Sequence, residues 1–384
     1  MKILLEGHRL ARVSNFGGID SYWHKLVPEL LARHPVEQDF SLFSAFLNPK
    51  HGRGLSAYRK RGARVHHWWA SPEWLDASAR FGGQVEWYCG KQDIVHVPEP
   101  LWKLSTRGRL VVTAHDLMYL HHPQYLDPRW VARLQEGTER LASKAAYWVC
   151  VSEHTQRDLV KNYGVPLGRT EVIYHGIEER FRSVNDQPEQ IQRVREQFSL
   201  AARPYFLFLG SVEPKKNLPM LLEAYAKALD KGLQADLAVA GRAGWKAEAV
   251  RAVAGANPKL QERVKFLGFI DQEDLAPLTA GAQAMVLPSR YEGFGMPVIE
   301  AMAAATVVLC SDRGALPEVA GGAAELFDAD DVDGLAELLL RVDQDSTFCE
   351  NLTAKGLQHS ASFSWSKCAE QHCAAYSKAM SLPR

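Results

Sequence analysis

The sequence predicts an α/β protein built from two doubly wound, Rossmann-like domains facing a cleft. Three observations carry this. Short apolar runs alternate with helical stretches along the whole chain, the pattern of βαβ units on a parallel sheet. The 384 residues are too many for one typical unit of this kind and suit two. A polar, charged break (SVNDQPEQIQRVR, 183–195) separates a first series of strands from a second, and reads as a linker with an entry helix.

The first series of expected strands is Lys2–Leu5, Phe40–Phe43, Ile94–Val97, Leu110–Thr113, Tyr147–Val151 and Glu171–Tyr174, with helical stretches such as Ser21–Arg33 and Arg129–Ala145 between them. The second is Tyr205–Leu209, Asp236–Ala240, Val264–Phe266, Ala284–Leu287, Val307–Cys310 and Ala324–Phe327, followed by an amphipathic helix over Ser364–Met380. The expected domains are therefore 1–182 and 183–363, with the helix 364–384 packing back on the first. In such folds ligands collect at the carboxyl ends of the strands.

Lys+Arg and Asp+Glu both count 45, so no global charge draws the chain to nucleic acid. The opening MKILLEGHRL reads as a first strand and not as a signal peptide, and no apolar run approaches the roughly 18–20 residues that span a bilayer. Six scattered cysteines without a CxxC pair read as free thiols in a reducing cytoplasm, not as a zinc site or disulfide framework.

Four stretches carry chemistry. Glu292-Gly-Phe-Gly-Met296 leads from a strand into a helix starting near Pro297, so its glycines and free N–H groups form an anion site suited to phosphate. Glu300 lies one turn in, and its side chain leans back toward that site. Glu292 and Glu300 equally suit the plain start of a helix, or an acid/base pair. Gly210-Ser-Val-Glu-Pro-Lys-Lys-Asn217 follows a strand, and Lys215 and Lys216 there read as a phosphate cradle or as a solvated turn. Neither the P-loop nor the GxGxxG spacing is present. His115 and Asp116 stand just past a strand of the first domain, and Phe16-Gly-Gly-Ile19 occupies its first strand-to-helix loop. Three Asp-x-Asp matches, 328–330, 331–333 and 343–345, read as helix caps rather than metal ligands.

In combination and order these segments, with Val151-Ser-Glu-His-Thr155, Val172-Ile-Tyr-His-Gly176, Ala240-Gly-Arg242 and Val264-Lys-Phe-Leu-Gly268, resemble glycosyltransferase family 4, retaining nucleotide-sugar enzymes of the GT-B fold. The EPKKN and HDL forms look most like bacterial mannosyltransferase-like or deoxyhexosyltransferase-like members that build surface polysaccharides. The resemblance implies that Lys216 contacts the donor diphosphate and that the amides of Phe294, Gly295 and Met296 contact its sugar and phosphate. It places Glu300 on the ribose hydroxyls, with Glu292 and His115 beside the transferred sugar. Gly17 and Gly18 would lie near the diphosphate and Phe269-Ile270 along the base, with Ser211, Lys215 and Arg242 completing the donor side. Two departures stand out. Ala305 and Val307 occur where the family often has glycine and proline, and Ser211 where many members have Arg or Thr.

The reading is thus a metal-independent transferase without a cofactor, taking a GDP-mannose-like donor to a glycan or lipid-linked glycan. It would be cytoplasmic or peripheral at the inner membrane face, with no nucleic-acid partner. The rivals are a transferase using UDP or another nucleotide, an epimerase, a glycosidase built on the two glutamates, and a non-catalytic nucleotide-sugar-binding subunit. Eight of the ten tryptophans fall in the first 150 residues, and Trp68, Trp69 and Trp74 follow a basic stretch, Arg53–Arg64, with five Lys/Arg and no acid. They suit an acceptor sugar or a membrane surface, or simply a core beside a solvated loop.

Overall fold

The computed structural model describes residues 1–11, 17–33, 38–144, 147–244 and 247–383. The chain forms two compact units, one of Met1–Gly176 with Trp365–Arg384 and the other of Ile177–Ser364. The division falls at Gly176, ahead of the boundary expected after Arg182. Residues beyond Gly176 fold with the second unit: Phe181 is fully buried, and Arg182 Nη2 donates to the carbonyls of Ser360 and Phe363 at 2.9 and 2.7 Å. Nor is 183–195 a loose linker. Its helix Pro188–Gln197 is tied down by Arg193 on Asp274 at 2.6 Å.

The first unit holds a seven-stranded parallel sheet of β1 (Lys2–Glu6), β2 (Asp39–Ala45), β3 (Arg64–Trp68), β4 (Ile94–Val97), β5 (Arg109–Ala114), β6 (Tyr147–Cys150) and β7 (Thr170–Val172), in the order 3-2-1-4-5-6-7. The second holds a six-stranded parallel sheet of β8 (Tyr205–Leu209), β9 (Asp236–Ala240), β10 (Val264–Gly268), β11 (Ala284–Leu287), β12 (Val307–Ser311) and β13 (Glu325–Phe327), in the order 10-9-8-11-12-13. Both are doubly wound, since the order reverses beside β1 and beside β8. Central strands are apolar on both faces because helices cover both sides, as in β8, where Tyr205, Phe206, Leu207 and Phe208 are all fully buried. Two edges differ from expectation. Strand β3 was not anticipated, and β7 ends at Val172, short of Tyr174.

The helix Trp365–Ser381 belongs to the first unit, where it packs on the helix Gly18–Arg33 and on β5 and β6. A buried polar chain fastens it. His372 Nδ1 donates to the Cys368 carbonyl at 2.8 Å, which leaves Nε2 to accept from the Tyr22 hydroxyl at 2.9 Å. His96 bonds Tyr376 at 2.7 Å and Thr113 at 2.9 Å. Burial pushes His372 down to about 4, so this fastening is neutral at ordinary pH.

The departure at Ala305 has a measurable cost. Ala305 follows the helix Met296–Ala303 with φ +57°, and its N–H and that of Thr306 return to Met302 and Ala301. This is the left-handed helix-terminating position that glycine occupies without strain. Ala305→Gly is expected to stabilise the second unit by about 0.5–1 kcal/mol, seen as a melting temperature roughly 1–4 °C higher. An unchanged or lower melting temperature would contradict this.

Candidate functional site

In the second unit the sequence-nominated residues gather at the carboxyl ends of β8, β9 and β11. Gly210 and Ser211 follow β8, and the short 3-10 turn Pro214–Lys216 carries both lysines. Asn217 sits at φ +55° and donates from Nδ2 to the Ala329 carbonyl at 2.8 Å, which anchors the turn at the head of the helix Leu218–Asp230. The Arg290 N–H donates to the Lys215 carbonyl at 2.8 Å, joining this turn to the loop after β11. Close approach is built in at Gly241 (φ +142°), where a Cβ would stand 1.8 Å from the Gly210 carbonyl oxygen.

The lysine turn and the glutamate loop meet directly. Lys216 Nζ donates to Glu292 Oε1 at 2.5 Å, and Ser289 Oγ donates to the same oxygen at 2.6 Å. Ser289 is held in turn by Ser311, whose hydroxyl donates to its carbonyl at 2.5 Å. The Glu292 carbonyl accepts from Ala315 at 2.9 Å. Burial pushes the Glu292 carboxyl up, but Lys216, Lys215 and the two hydrogen bonds outweigh it and hold it below the usual carboxylate range. It is therefore an ionised, buried partner of Lys216.

Beyond Glu292, Phe294 is buried against Phe363, and Gly295 has φ +95°, where a Cβ would also meet the Leu316 side chain at 2.6 Å. Met296 and Pro297 open the helix, and Glu300, one turn in, is buried. Arg242 lies over the Phe269 ring at 4.3 Å, with Phe269 exposed and the Ile270 side chain buried.

In the first unit His115 stands just past β5, partly buried and edge-on to Tyr22 at 4.8 Å. Burial and the nearby Arg9 push it down to about 3, against a hydrogen bond with the Pro98 backbone. The ring is neutral and its Nε2 is buried without a partner. Asp116 Oδ1 accepts from the Met118 N–H at 3.1 Å, a local cap. The Gly17 N–H donates to Asp20 Oδ2 at 3.2 Å, Gly18 opens the first helix, and Phe16 lies outside the described residues. Arg9 holds Asp20 at 2.6 Å from Nη1 and Glu99 at 3.0 Å from Nε. Arg9 and Glu99 were missed in the sequence, because they are 90 positions apart. Ser289 was in view but drew no role; its spacing three residues before Glu292 was the available signal.

Of the Asp-x-Asp residues, Asp331 and Asp345 cap helices through Gly334 and Phe348 at 2.9 Å. The others do not cap. Asp328 and Asp330 pair with Arg313 and Arg290, Asp333 pairs with Lys227, and Asp343 accepts from the Gln234 N–H. Among the described residues, no group of three or more His, Cys, Asp or Glu is arranged to hold a metal ion. Nor are Trp69 and Trp74 core residues: they are 63% and 51% exposed, with Phe81 at 88% and Trp87 at 59% nearby in sequence.

Residues 190–359 match the model for glycosyl transferases group 1, and residues 16–181 that for glycosyltransferase family 4. The chain is 30% identical over 269 residues to an O-antigen chain mannosyltransferase B of Escherichia coli, covering 70% of each. It is 26% identical over 345 residues to the serotype-specific mannosyltransferase WbdA of the same organism, covering 87% of this chain but only 41% of that one. Among solved structures, Anabaena Alr3699/HepE in complex with UDP superposes with a TM-score of 0.72 at 18% identity, over 98% and 99% of the two chains. That likeness is one of fold, the GT-B fold with its two Rossmann-like domains.

Proposed function

The chain is a glycosyltransferase of family 4, and on that premise we propose that it is a retaining hexosyltransferase moving mannose, or a related deoxyhexose, from a GDP-sugar to a glycan or lipid-linked glycan hydroxyl in cell-surface polysaccharide synthesis. The carrying observation is the Lys216–Glu292 pair at 2.5 Å, set beside the amides that open the helix at Met296. As the sugar–phosphate bond breaks, negative charge grows on the departing diphosphate. Lys216 and those amides would stabilise that charge, and Glu292 would hold the ammonium ready for it. Glu300 would clasp the ribose hydroxyls. His115, neutral and with a bare Nε2, would offer its ring to a sugar hydroxyl without adding charge.

The mannosyltransferase names of the E. coli relatives support the sugar and the polysaccharide setting. A uridine donor is the second reading, supported by the UDP bound in the Anabaena neighbour. Thermal shift against GDP-, UDP-, dTDP- and ADP-sugars separates the two, since a bound ligand stabilises by mass action. Transfer from GDP-mannose is expected to give a product that keeps the donor's anomeric configuration by NMR, and to persist in excess EDTA. An inverted linkage, or full loss with chelator restored by Mn²⁺, would overturn the respective part.

The exposed aromatics Trp69, Trp74, Phe81 and Trp87, which follow in sequence the exposed Arg59, Lys60, Arg61 and Arg64, support a peripheral contact with an anionic membrane through the first unit. Flotation with phosphatidylglycerol vesicles is expected, weakening at least severalfold in Trp69→Ser/Trp74→Ser. Equal flotation of both proteins would remove the contact. No helix among the described residues is long and apolar enough to cross a membrane.

A further inference from the structure

The Glu292 carboxylate receives two donors of different kinds. Lys216 Nζ and Ser289 Oγ both end on Oε1, at 2.5 and 2.6 Å, and neither bond occupies Oε2. A lysine ammonium is a compact charge on a flexible stem, so it neutralises a carboxylate without deciding how the group is turned. A hydroxyl three residues away on the same loop has far less freedom. Ser289 is fully buried, and its backbone is fixed from β12: the hydroxyl of Ser311, the last residue of that strand, donates to its carbonyl. The connection that follows β12 holds Glu292 itself. Gly314, at φ +61°, passes so close that a Cβ there would stand 2.5 Å from the Glu292 carbonyl oxygen, and the Ala315 N–H donates to that oxygen at 2.9 Å. These contacts secure the loop through its backbone. The one hydroxyl proton of Ser289 is spent on the carboxylate.

We infer that Ser289 is the positioning residue of Glu292, fixing the direction of its carboxylate while Lys216 serves the diphosphate. The inference rests on the transferase reading, in which Ser289 itself touches neither donor nor acceptor. Its part grows as the reaction proceeds. Lys216 turns its charge toward the departing diphosphate, and its bond to Glu292 weakens as it does so. Ser289 has no second claim on it and stays on Oε1. A buried carboxylate with a hydroxyl donor still in place keeps both its orientation and its charge, where one left bare would take up a proton. Oε2 therefore faces the same way before and during transfer.

Ser289→Ala is expected to lower kcat for transfer from GDP-mannose about tenfold or more, with the donor KM and the affinity for free GDP within about threefold of wild type. Two readouts separate positioning from a general loosening of the loop. The first is pH. Burial pushes the Glu292 carboxyl up, and Lys216, Lys215 and the Ser289 hydroxyl together hold it down. Without the hydroxyl the carboxyl moves up, so the acid limb of the kcat profile moves to higher pH. The second is a double-mutant cycle. In Glu292→Gln no charge is left to position, and adding Ser289→Ala there is expected to change transfer by no more than about twofold. Ser289→Cys, close to serine in shape but a weak donor, should repeat the alanine result and serves if alanine fails to fold. An unmoved acid limb, or the same loss in both backgrounds, overturns the positioning role even if the wild type transfers sugar. A wild type that transfers from no nucleotide sugar overturns the transferase reading instead. The hold on Glu292 is then read directly by ¹³C NMR of its carboxyl, assigned through Glu292→Gln: a higher titration in Ser289→Ala upholds the hold, and an unchanged one overturns it.

Discussion

Lys216→Ala is expected to cut sugar transfer by about 10- to 150-fold and to weaken the free nucleoside diphosphate to a similar degree. A charge-assisted hydrogen bond to a buried phosphate contributes about 1.5–3 kcal/mol, and the alanine variant forfeits it. A second loss should accompany it. Glu292 is buried with Lys216 on one of its oxygens, and breaking a buried ion pair from one side costs on the order of 3 kcal/mol of stability. That loss has a signature in pH. In the wild type the Glu292 carboxyl is depressed, so its contribution to stability is present above the unfolded carboxylate value and fades as pH falls through the folded one. In Lys216→Ala burial is less opposed and the carboxyl moves up, so the stability gap to wild type narrows on acidification. The double variant Lys216→Ala/Glu292→Gln should recover most of the stability and none of the diphosphate affinity. Calorimetry showing wild-type diphosphate affinity in Lys216→Ala would remove the lysine from the donor site.

The two glutamates are expected to separate under substitution. Glu300→Gln should weaken donor and free nucleoside diphosphate equally, by about 10-fold or more, because its proposed partner is the ribose. Glu292→Gln should leave diphosphate affinity within about threefold, since the amide oxygen can still accept from Lys216 and Ser289, while transfer drops on the order of a hundredfold. The reason is geometric. Glu292 shares one oxygen with a lysine and a serine and stays ionised, which is the wrong state for a general acid. Azide rescue of Glu292→Gln with formation of a glycosyl azide, with normal diphosphate binding in both variants, would make the pair catalytic and defeat this reading.

What could be read from the sequence followed burial. Strands β8, β9 and β11 lie where their apolar runs put them, because a parallel strand covered on both faces has no choice of pattern. Strand β3 was invisible for the opposite reason. Arg64-Val-His-His-Trp68 is an edge strand paired only with β2, so its composition carries no core signal. In the candidate site the residues of the two phosphate-facing loops were nameable from glycines and lysines, but their relation was not. Lys216 and Glu292 received separate partners, and the fold places them on each other across 76 positions. Spacing along the chain has no information about that distance. The same holds for Arg9 and Glu99.

The route of the chain has a consequence for how the protein is made. The second unit is an insertion: Ile177 and Ser364, its first and last residues, pair with each other as a bridge, and residues 365–384 return to the first unit. On the ribosome the second unit is contiguous and can close as soon as it emerges. The first cannot. His96, Thr113 and Tyr22 are synthesised early, but their partners Tyr376 and His372 follow only after the whole of Ile177–Ser364. At ~5–20 residues per second this is a wait of roughly ten to forty seconds. Through that interval the nascent sheet of the first unit carries an open, polar-lined slot, so the part of the chain translated first is the part completed last.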